Sequence, residues 1–221
     1  MLLDPHRPAS YLITSGATTR ETTPDDEDFT RLIALVRAAV AAHVSLIQLR
    51  EKMLRPRVLY ELARSSAQIT RGSATQLLVN DRADIAWAAG ADGVHLTTRS
   101  LEAGVVRRVF GTSFLIGVST HSLREARAAR DGGADFAVFG PIYETPSKRE
   151  FGAPIGLSVL SEAARELAPF PLFAIGGITR ENAREVLAVG ARGVAAIRLF
   201  ENAPDLSETV RIIESAMGGS A

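Results

Sequence analysis

Short runs of aliphatic and β-branched residues alternate along the chain with longer stretches whose apolar residues recur at helical spacing. Leu32, Leu35, Val36 and Ala39 are an example of that spacing. The short runs number eight, at residues 11–14, 45–50, 76–79, 93–96, 114–119, 136–140, 172–177 and 193–197. The alternation predicts eight strands with helices between them.

Strands that are apolar along their whole length need cover on both faces, which indicates parallel strands with helices packed outside. Eight strand–helix units in 221 residues are what a compact (β/α)8 barrel, or TIM barrel, requires. Strand count and chain length favour this α/β fold over a doubly wound open sheet. We therefore predict a single TIM-barrel domain over residues 1–221, with short flexible tails at about 1–9 and about 217–221.

Several helix boundaries carry local signals. Thr23 before Pro24 predicts a helix start, and Ser122 with Glu125 fits a capping box. A related phrase occurs three times, as AGADGV from residue 89, GGADFAV from residue 132 and VGARGVA from residue 189. Its glycine follows an apolar helical stretch, so the phrase predicts a repeated helix-to-strand junction.

Composition excludes several classes of protein. Lys plus Arg equals Asp plus Glu at 25 each, so no overall charge would attract nucleic acid or an anionic membrane. The absence of cysteine excludes disulfides and thiolate chemistry and suits a reducing compartment. No apolar run approaches the roughly 20 residues that cross a bilayer, and residues 1–10 lack a signal-peptide pattern. We predict a cytoplasmic protein with no nucleic-acid or membrane partner. The composition is compatible with a homo-oligomer.

Polar residues follow most of the predicted strands, where the active sites of such barrels lie. The second strand leads into Gln48, Arg50, Glu51 and Lys52, the third into Asn80 and Asp81, the fifth into Ser119 and His121, the sixth toward Lys148, the seventh into Gly176 and Gly177, and the eighth into Ile197 and Arg198. Simpler explanations exist: Asn80 and Asp81 could cap a helix, and His95 on the fourth strand is expected to be a hydrogen-bonded structural residue.

Taken together, the charged residues predict a site for two anionic groups. Arg50, Lys52 and Lys148 supply positive charge, and Gly176–Gly177 would let a phosphate approach backbone N–H groups. Asp81 could recruit Mg²⁺, which usually takes few carboxylates and several phosphate oxygens. The polar connection at 143–154 is long enough to be a lid. These residues indicate an enzyme that acts on phosphorylated small molecules.

Six motifs extend this interpretation: QLREK (48–52), NDR (80–82), GADGVHL (90–96), GVSTHS (117–122), GPIYETPSK (140–148) and AIGGIT (174–179). Their order resembles that of the thiamine phosphate synthase/TenI family. The resemblance implies a TIM barrel in thiamine biosynthesis. Its synthase branch is a transferase that joins hydroxymethylpyrimidine diphosphate to hydroxyethylthiazole phosphate through a pyrimidine carbocation and releases pyrophosphate.

The resemblance also implies roles for individual residues. Arg50, Lys52 and Lys148 would assist departure of the diphosphate, and Asp81 would bind Mg²⁺. The other substrate-binding positions are Gln48, Asn80 and Ser119 for the pyrimidine diphosphate, Thr145 and Ser147 near the thiazole, and Gly176, Gly177, Ile197 and Arg198 around the thiazole phosphate.

Two positions depart from the pattern of the family. Ser100 stands where synthases usually carry a second metal-binding aspartate, which weakens the expected Mg²⁺ site. Arg198 stands where the usual residue is serine. One alternative is a TenI-type thiazole tautomerase, which needs no metal and would use His121 as a proton shuttle. Another is a non-catalytic member that binds thiazole phosphate. The intact diphosphate-binding residues favour the synthase.

Overall fold

The computed structural model describes residues 7–144 and 154–216. In these ranges eight parallel strands close into a barrel in chain order, with the last strand beside the first. The strands are β1 (Ala9–Ile13), β2 (Leu46–Leu49), β3 (Gln76–Asn80), β4 (Gly93–Leu96), β5 (Leu115–Thr120), β6 (Phe136–Phe139), β7 (Leu172–Ile175) and β8 (Gly193–Ala196). The predicted TIM barrel is confirmed, and the open sheet is excluded.

Helices pack around the barrel. Within the described ranges they are α1 (Glu27–Ala41), α2 (Pro56–Thr70), α3 (Ala83–Ala89), α4 (Ala103–Phe110), α5 (Leu123–Asp131), α6 (Gly156–Leu167), α7 (Ala183–Ala188), α8 (Arg198–Glu201) and α9 (Leu206–Ser215). None of these helices is long and apolar enough to cross a membrane.

Two predicted boundaries near the amino end are wrong. β1 begins at Ala9, which is buried and pairs with Gly193 of β8, so this residue belongs to the barrel rather than to a tail. Helix α1 begins at Glu27 instead of Pro24. The amide and hydroxyl of Thr23 both donate to the Asp26 carboxylate, at 2.7 and 3.0 Å, and this closes a polar turn before the helix.

The apolar residues form two layers. One lies between the strands and the helices, and the other fills the barrel interior. In the interior the rings of Tyr11, Phe136 and Phe173 pack with centroids 5.1 to 5.8 Å apart. Gly117 of β5 makes room for this cluster, because a Cβ there would lie 2.4 Å from the Phe136 ring and 2.9 Å from His95 Nδ1.

The repeated phrase of the sequence has a structural role. Asp92 accepts a hydrogen bond from the Leu77 amide at 2.7 Å, and Asp135 accepts one from the Ile116 amide at 2.6 Å. Each aspartate precedes one strand and holds the amino end of the strand before it. The third copy has Arg192 at this position, whose guanidinium donates to the carbonyl of Arg7. The phrase therefore ties neighbouring strands together at the end of the barrel opposite the predicted site.

Candidate functional site

The carboxyl ends of the strands form a mouth with a cavity of about 190 Å³. Six of the residues that line this cavity are Ser119, His121, Gly176, Gly177, Ile197 and Arg198. All six were predicted as site residues, and they come from the ends of β5, β7 and β8. The barrel therefore brings residues from distant parts of the chain to one opening.

A buried chain of hydrogen bonds runs beneath the mouth. Gln48 Nε2 donates to the Tyr11 hydroxyl at 2.9 Å, and that hydroxyl lies 3.0 Å from His95 Nδ1. His95 Nε2 lies 2.9 Å from the Ser119 hydroxyl. Both ring nitrogens of His95 have partners, as predicted for a structural histidine. Tyr11 was not predicted; its signal was a hydroxyl-bearing residue inside an otherwise apolar strand, which requires a partner when buried.

Burial sets the protonation state of this chain. The pKa of His95 is lowered to about 3, first by desolvation and then by the nearby positive charge of Arg50. Desolvation also raises the pKa of Tyr11, although the hydrogen bond from Gln48 opposes that shift. Both side chains are therefore neutral near pH 7.

Arg50 and Lys52 lie at the end of β2, as predicted. The Arg50 amide donates to the Thr14 hydroxyl at 2.8 Å, and its guanidinium reaches the Ser15 carbonyl at 3.5 Å. Its side chain is half-buried, whereas Lys52 is exposed. The two cations thus begin at the edge of the barrel interior and extend to solvent.

Glu51 lies between the two cations in the sequence, but its side chain is buried. It is 2% exposed. Its carboxylate accepts hydrogen bonds from the hydroxyls of Thr14 and Thr18, at 2.5 and 2.6 Å, and from the amide of Gly16 at 3.2 Å. Glu51 therefore holds the loop between β1 and α1.

Asn80 is the last residue of β3, and Asp81 follows it at the mouth. Asn80 is buried and Asp81 is exposed. The prediction that they cap a helix is wrong, because the N-cap of α3 is Arg82 and it makes no side-chain capping bond. Asp81 has a φ of 65° and its amide donates to the His95 carbonyl at 2.9 Å. Aspartate tolerates this left-handed conformation better than most residues, and such strain often occurs at functional sites.

The side chain of Ser100 takes part in a local turn and supplies no carboxylate for a metal ion. Its hydroxyl accepts a hydrogen bond from the Thr97 amide at 2.7 Å, which closes a turn after β4. No cluster of three or more His, Cys, Asp or Glu side chains suited to a metal occurs in residues 7–144 and 154–216. Asp81 alone fits an ion that takes most of its oxygen ligands from phosphate and water, which is usual for Mg²⁺.

Gly176 and Gly177 follow β7 with φ of 98° and 65°. A Cβ on Gly176 would lie 2.6 Å from Pro141 Cβ, and one on Gly177 would lie 2.7 Å from Tyr143 Cβ. These glycines thus admit the segment after β6 as well as exposing backbone. Tyr143 donates to Glu185 at 2.8 Å, and burial together with that carboxylate raises the pKa of Tyr143 to about 12.

The short helix α8 begins at Arg198, directly after β8. The first N–H groups of a helix have no intrahelical acceptor, and phosphate sites of TIM barrels commonly use the loops after strands seven and eight with a short extra helix. Arg198 is exposed and lines the cavity. This is the side of the mouth where the sequence predicts a phosphate site.

His121 lies at the rim with a defined orientation. Its Nδ1 is 2.6 Å from the Gly140 carbonyl, which can only accept, so Nδ1 carries the proton of the neutral ring. Its amide donates to Glu125 at 2.7 Å, while the Glu125 amide donates to Ser122 at 3.2 Å. The predicted capping box is therefore present, with the glutamate reaching one residue further back than usual.

Three predicted site residues cannot be placed. Thr145, Ser147 and Lys148 belong to the segment 145–153, which lies outside the described residues. The same holds for most of the predicted lid at 143–154. The tail predicted at 217–221 also falls outside the described part of the chain.

Known proteins resemble this chain over most of its length. A family model described as thiamine monophosphate synthase matches residues 20–200. A putative thiamine-phosphate synthase from Geobacter sulfurreducens is 47% identical over 182 residues, which cover 82% of this chain and 85% of that protein. A thiamine-phosphate synthase from Moorella thermoacetica is 42% identical, with coverage of 81% and 85%.

A solved structure agrees with these sequence matches. The thiamine phosphate pyrophosphorylase from Pyrococcus furiosus superposes with a TM-score of 0.80 at 31% identity, covering 97% of this chain and 99% of that one. The family model spans most of the chain, and the fold matches this pyrophosphorylase over nearly its whole length. The chain therefore belongs to the thiamine monophosphate synthase family.

Proposed function

We propose that the protein is a thiamine phosphate synthase, a transferase that joins hydroxymethylpyrimidine diphosphate to hydroxyethylthiazole phosphate. The observation that supports the proposal is that two separate groups of residues suited to binding anions lie at one barrel mouth. Arg50 and Lys52 extend from β2, and the Gly177 loop lies beside α8. Two phosphorylated substrates need two such regions, whereas one phosphorylated substrate needs only one.

The β2–β3 side would hold the pyrimidine diphosphate. Arg50 and Lys52 supply positive charge, and Asn80 supplies an amide at the adjoining strand end. Lys148 is proposed to approach the same diphosphate from the segment after β6. Preorganised cations favour departure of a diphosphate because they stabilise the charge that develops on the leaving oxygen.

Mg²⁺ is the proposed cofactor, with Asp81 as its protein ligand. The ion would neutralise diphosphate oxygens and so make pyrophosphate a better leaving group. A single exposed carboxylate suits an ion that arrives together with the diphosphate. The hydroxyl of Ser100, already engaged with the Thr97 amide, contributes little to such a site.

The thiazole phosphate would bind on the β7–β8 side, at the Gly176–Gly177 backbone, the Ile197–Arg198 junction and the Arg198 guanidinium. Thr145 and Ser147 are proposed to lie near the thiazole ring. The bond between the pyrimidine methylene carbon and the diphosphate oxygen breaks, and both electrons leave with pyrophosphate. The lone pair of the thiazole nitrogen then forms the new carbon–nitrogen bond, so the protein supplies no covalent nucleophile.

Incubation of the purified protein with both substrates and Mg²⁺ tests the proposal. We expect equal amounts of pyrophosphate and thiamine phosphate, with little of either when a chelator removes the metal. Asp81→Asn should reduce the rate at least tenfold. Asp84→Asn is the matched control, since Asp84 pairs with Arg82 at 2.6 Å and has no proposed role. Failure of the wild-type protein to form product would refute the proposed function.

The tautomerase alternative has its own outcome in this design. His121 holds its proton on Nδ1 and so leaves Nε2 as a base, which is what a proton shuttle needs. The named relatives are synthases, and they do not favour this alternative. Metal-independent isomerisation of a thiazole carboxylate phosphate, lost in His121→Asn, would support it. The proposed reaction uses phosphorylated metabolites and is expected to occur in the cytoplasm.

A further inference from the structure

The buried chain of hydrogen bonds links Gln48, Tyr11, His95 and Ser119. The direction in which its groups donate and accept matters for substrate binding. Its members come from β1, β2, β4 and β5, and Tyr11, Gln48 and His95 are each at most 2% exposed. Only the two ends of the chain, Gln48 and Ser119, have a role in the proposed reaction. The two central residues, Tyr11 and His95, are explained by neither the phosphate cup nor the cations.

The donors can be assigned from one end. Gln48 Nε2 can only donate, so the Tyr11 oxygen accepts its hydrogen. Tyr11 has one proton, and its second partner is His95 Nδ1 at 3.0 Å, so Nδ1 is the acceptor. In a neutral imidazole the other nitrogen then carries the proton, and His95 Nε2 donates to the Ser119 oxygen at 2.9 Å.

With this assignment, one end of the chain of hydrogen bonds can donate to a ligand and the other end can accept from it. Ser119 accepts from His95, so its own hydroxyl proton remains to be donated, and the residue lines the cavity. At the other end, Ser66 Oγ is the one buried side-chain polar atom without a partner in the described ranges. Gln48 is 1% exposed, and its Oε1 has no donor in the described ranges, so this oxygen can accept a hydrogen bond from a ligand.

We propose that Tyr11 and His95 are positioning residues that fix Ser119 as a hydrogen-bond donor and Gln48 as an acceptor at the mouth. This inference rests on the proposed function, since its ligand is the pyrimidine substrate. An aminopyrimidine carries unprotonated ring nitrogens and an amine, so it complements a donor and an acceptor. A hydroxyl free to rotate would accept as readily as donate, and discrimination against analogues with a protonated ring nitrogen would be lost.

The tautomer of His95 tests the direction without any substrate. Long-range ¹H–¹⁵N NMR on the ligand-free, ¹⁵N-labelled protein distinguishes the two ring nitrogens, and His95→Gln identifies the signal. We expect an unprotonated Nδ1 and a protonated Nε2. A proton on Nδ1 would mean that the chain runs from Ser119 to Gln48, and the proposal would be wrong.

The effect on catalysis is tested with Tyr11→Phe, which removes only the hydroxyl. We expect the His95 proton to shift toward Nδ1, and kcat/KM for the pyrimidine diphosphate to fall about tenfold with the KM for thiazole phosphate unchanged. Ser119→Ala should cause a similar loss. The double variant should lose no more than Ser119→Ala alone, because both changes remove one interaction. A Tyr11→Phe enzyme within twofold of wild type would overturn the proposal.

Phe136→Leu is the packing control. The Phe136 ring packs against Tyr11 and His95 with centroids 5.7 and 6.3 Å away, but has no hydrogen bond to lose. We expect lower stability and an unchanged His95 tautomer; a tautomer shift as large as that of Tyr11→Phe would assign the effect to packing and overturn the proposal. If wild type forms no thiamine phosphate, the proposed function fails, while the NMR result still decides the direction of the chain.

Discussion

Ser100 is the residue at which the proposed metal site can be changed by a single carboxylate. Its hydroxyl accepts from the Thr97 amide, and an aspartate can keep that bond while presenting a second oxygen to the mouth. We expect Ser100→Asp to lower the Mg²⁺ concentration for half-maximal activity about tenfold, because a second carboxylate adds charge to the site. Steady-state rates over a Mg²⁺ titration measure this. Ser100→Asn has the same size without the charge, and an equal effect there would exclude a metal role.

His95 should also make the stability of the protein sensitive to acid. Its folded pKa of about 3 lies below the unfolded value of about 6.5, so the unfolded state binds the proton first. The stability that depends on neutral His95 is complete above pH 6.5 and is lost as the pH falls toward 3. Between pH 7 and pH 5 this loss is about 2 kcal/mol, from about 1.4 kcal/mol per pH unit.

Urea unfolding at pH 7, 6 and 5 measures that effect. His95→Gln removes the titrating group, so the variant should lose about 2 kcal/mol less than wild type over the same range. Carboxylates common to both proteins contribute equally and cancel in the comparison. Parallel pH profiles would show that His95 is protonated as easily in the folded protein as in the unfolded one.

At the scale of elements, the two glycines of the turn after β7 have two roles. They make room for the segment after β6, and they form part of the proposed phosphate cup. A Cβ at Gly177 would lie 2.7 Å from Tyr143 Cβ and 2.8 Å from the Glu144 carbonyl, at a φ of 65°. We expect Gly177→Ala to destabilise the protein by about 2–5 kcal/mol, from the left-handed backbone and the steric overlap together. It should also weaken thiazole phosphate binding, because the same turn forms the proposed cup.

Gly72 provides the matched control for Gly177→Ala. Its φ is 78°, but a Cβ there would have no atom within 4 Å. Gly72→Ala therefore isolates the backbone term, and we expect it to cost about 1–2 kcal/mol without affecting binding. Thermal unfolding and calorimetry with thiazole phosphate measure both quantities. Equal stability losses in the two variants would show that the segment after β6 yields to the new methyl group.

At the scale of the whole molecule, the sequence predicts those structural features that are determined by residues close together in the chain. The eight apolar runs predict the bounds of each strand to within two residues, because a strand buried on both faces is a run of consecutive apolar residues. The partners of Tyr11 and Glu51 could not be predicted, since they are distant in the sequence: 84 positions separate Tyr11 from His95, and 33 separate Glu51 from Thr18. The start of α1 was missed because a side-chain bond between Thr23 and Asp26 outweighed the proline signal. Long-range polar pairing therefore limits the prediction of the site.

The two proposed anion regions should stabilise the whole fold independently, since a ligand that binds only the folded state raises the free energy of unfolding. At about 100 times its Kd, each ligand contributes about 2.7 kcal/mol, which is roughly 5–10 °C in Tm for a domain of this size. We expect Arg50→Ala to lose most of the shift caused by Mg²⁺–pyrophosphate and to keep that caused by thiazole phosphate. Arg198→Ala should show the reverse.

Arg64 provides the charge control, because it is exposed on α2 and has no place in either region. Arg64→Ala should keep both shifts, so any loss in the other variants follows from position and not from the net charge. Differential scanning calorimetry of the four proteins with each ligand measures the pattern. A larger thiazole phosphate shift in Arg198→Ala would mean that arginine at this position crowds the cup, and loss of both shifts in one variant would mean that the two anions share a single region.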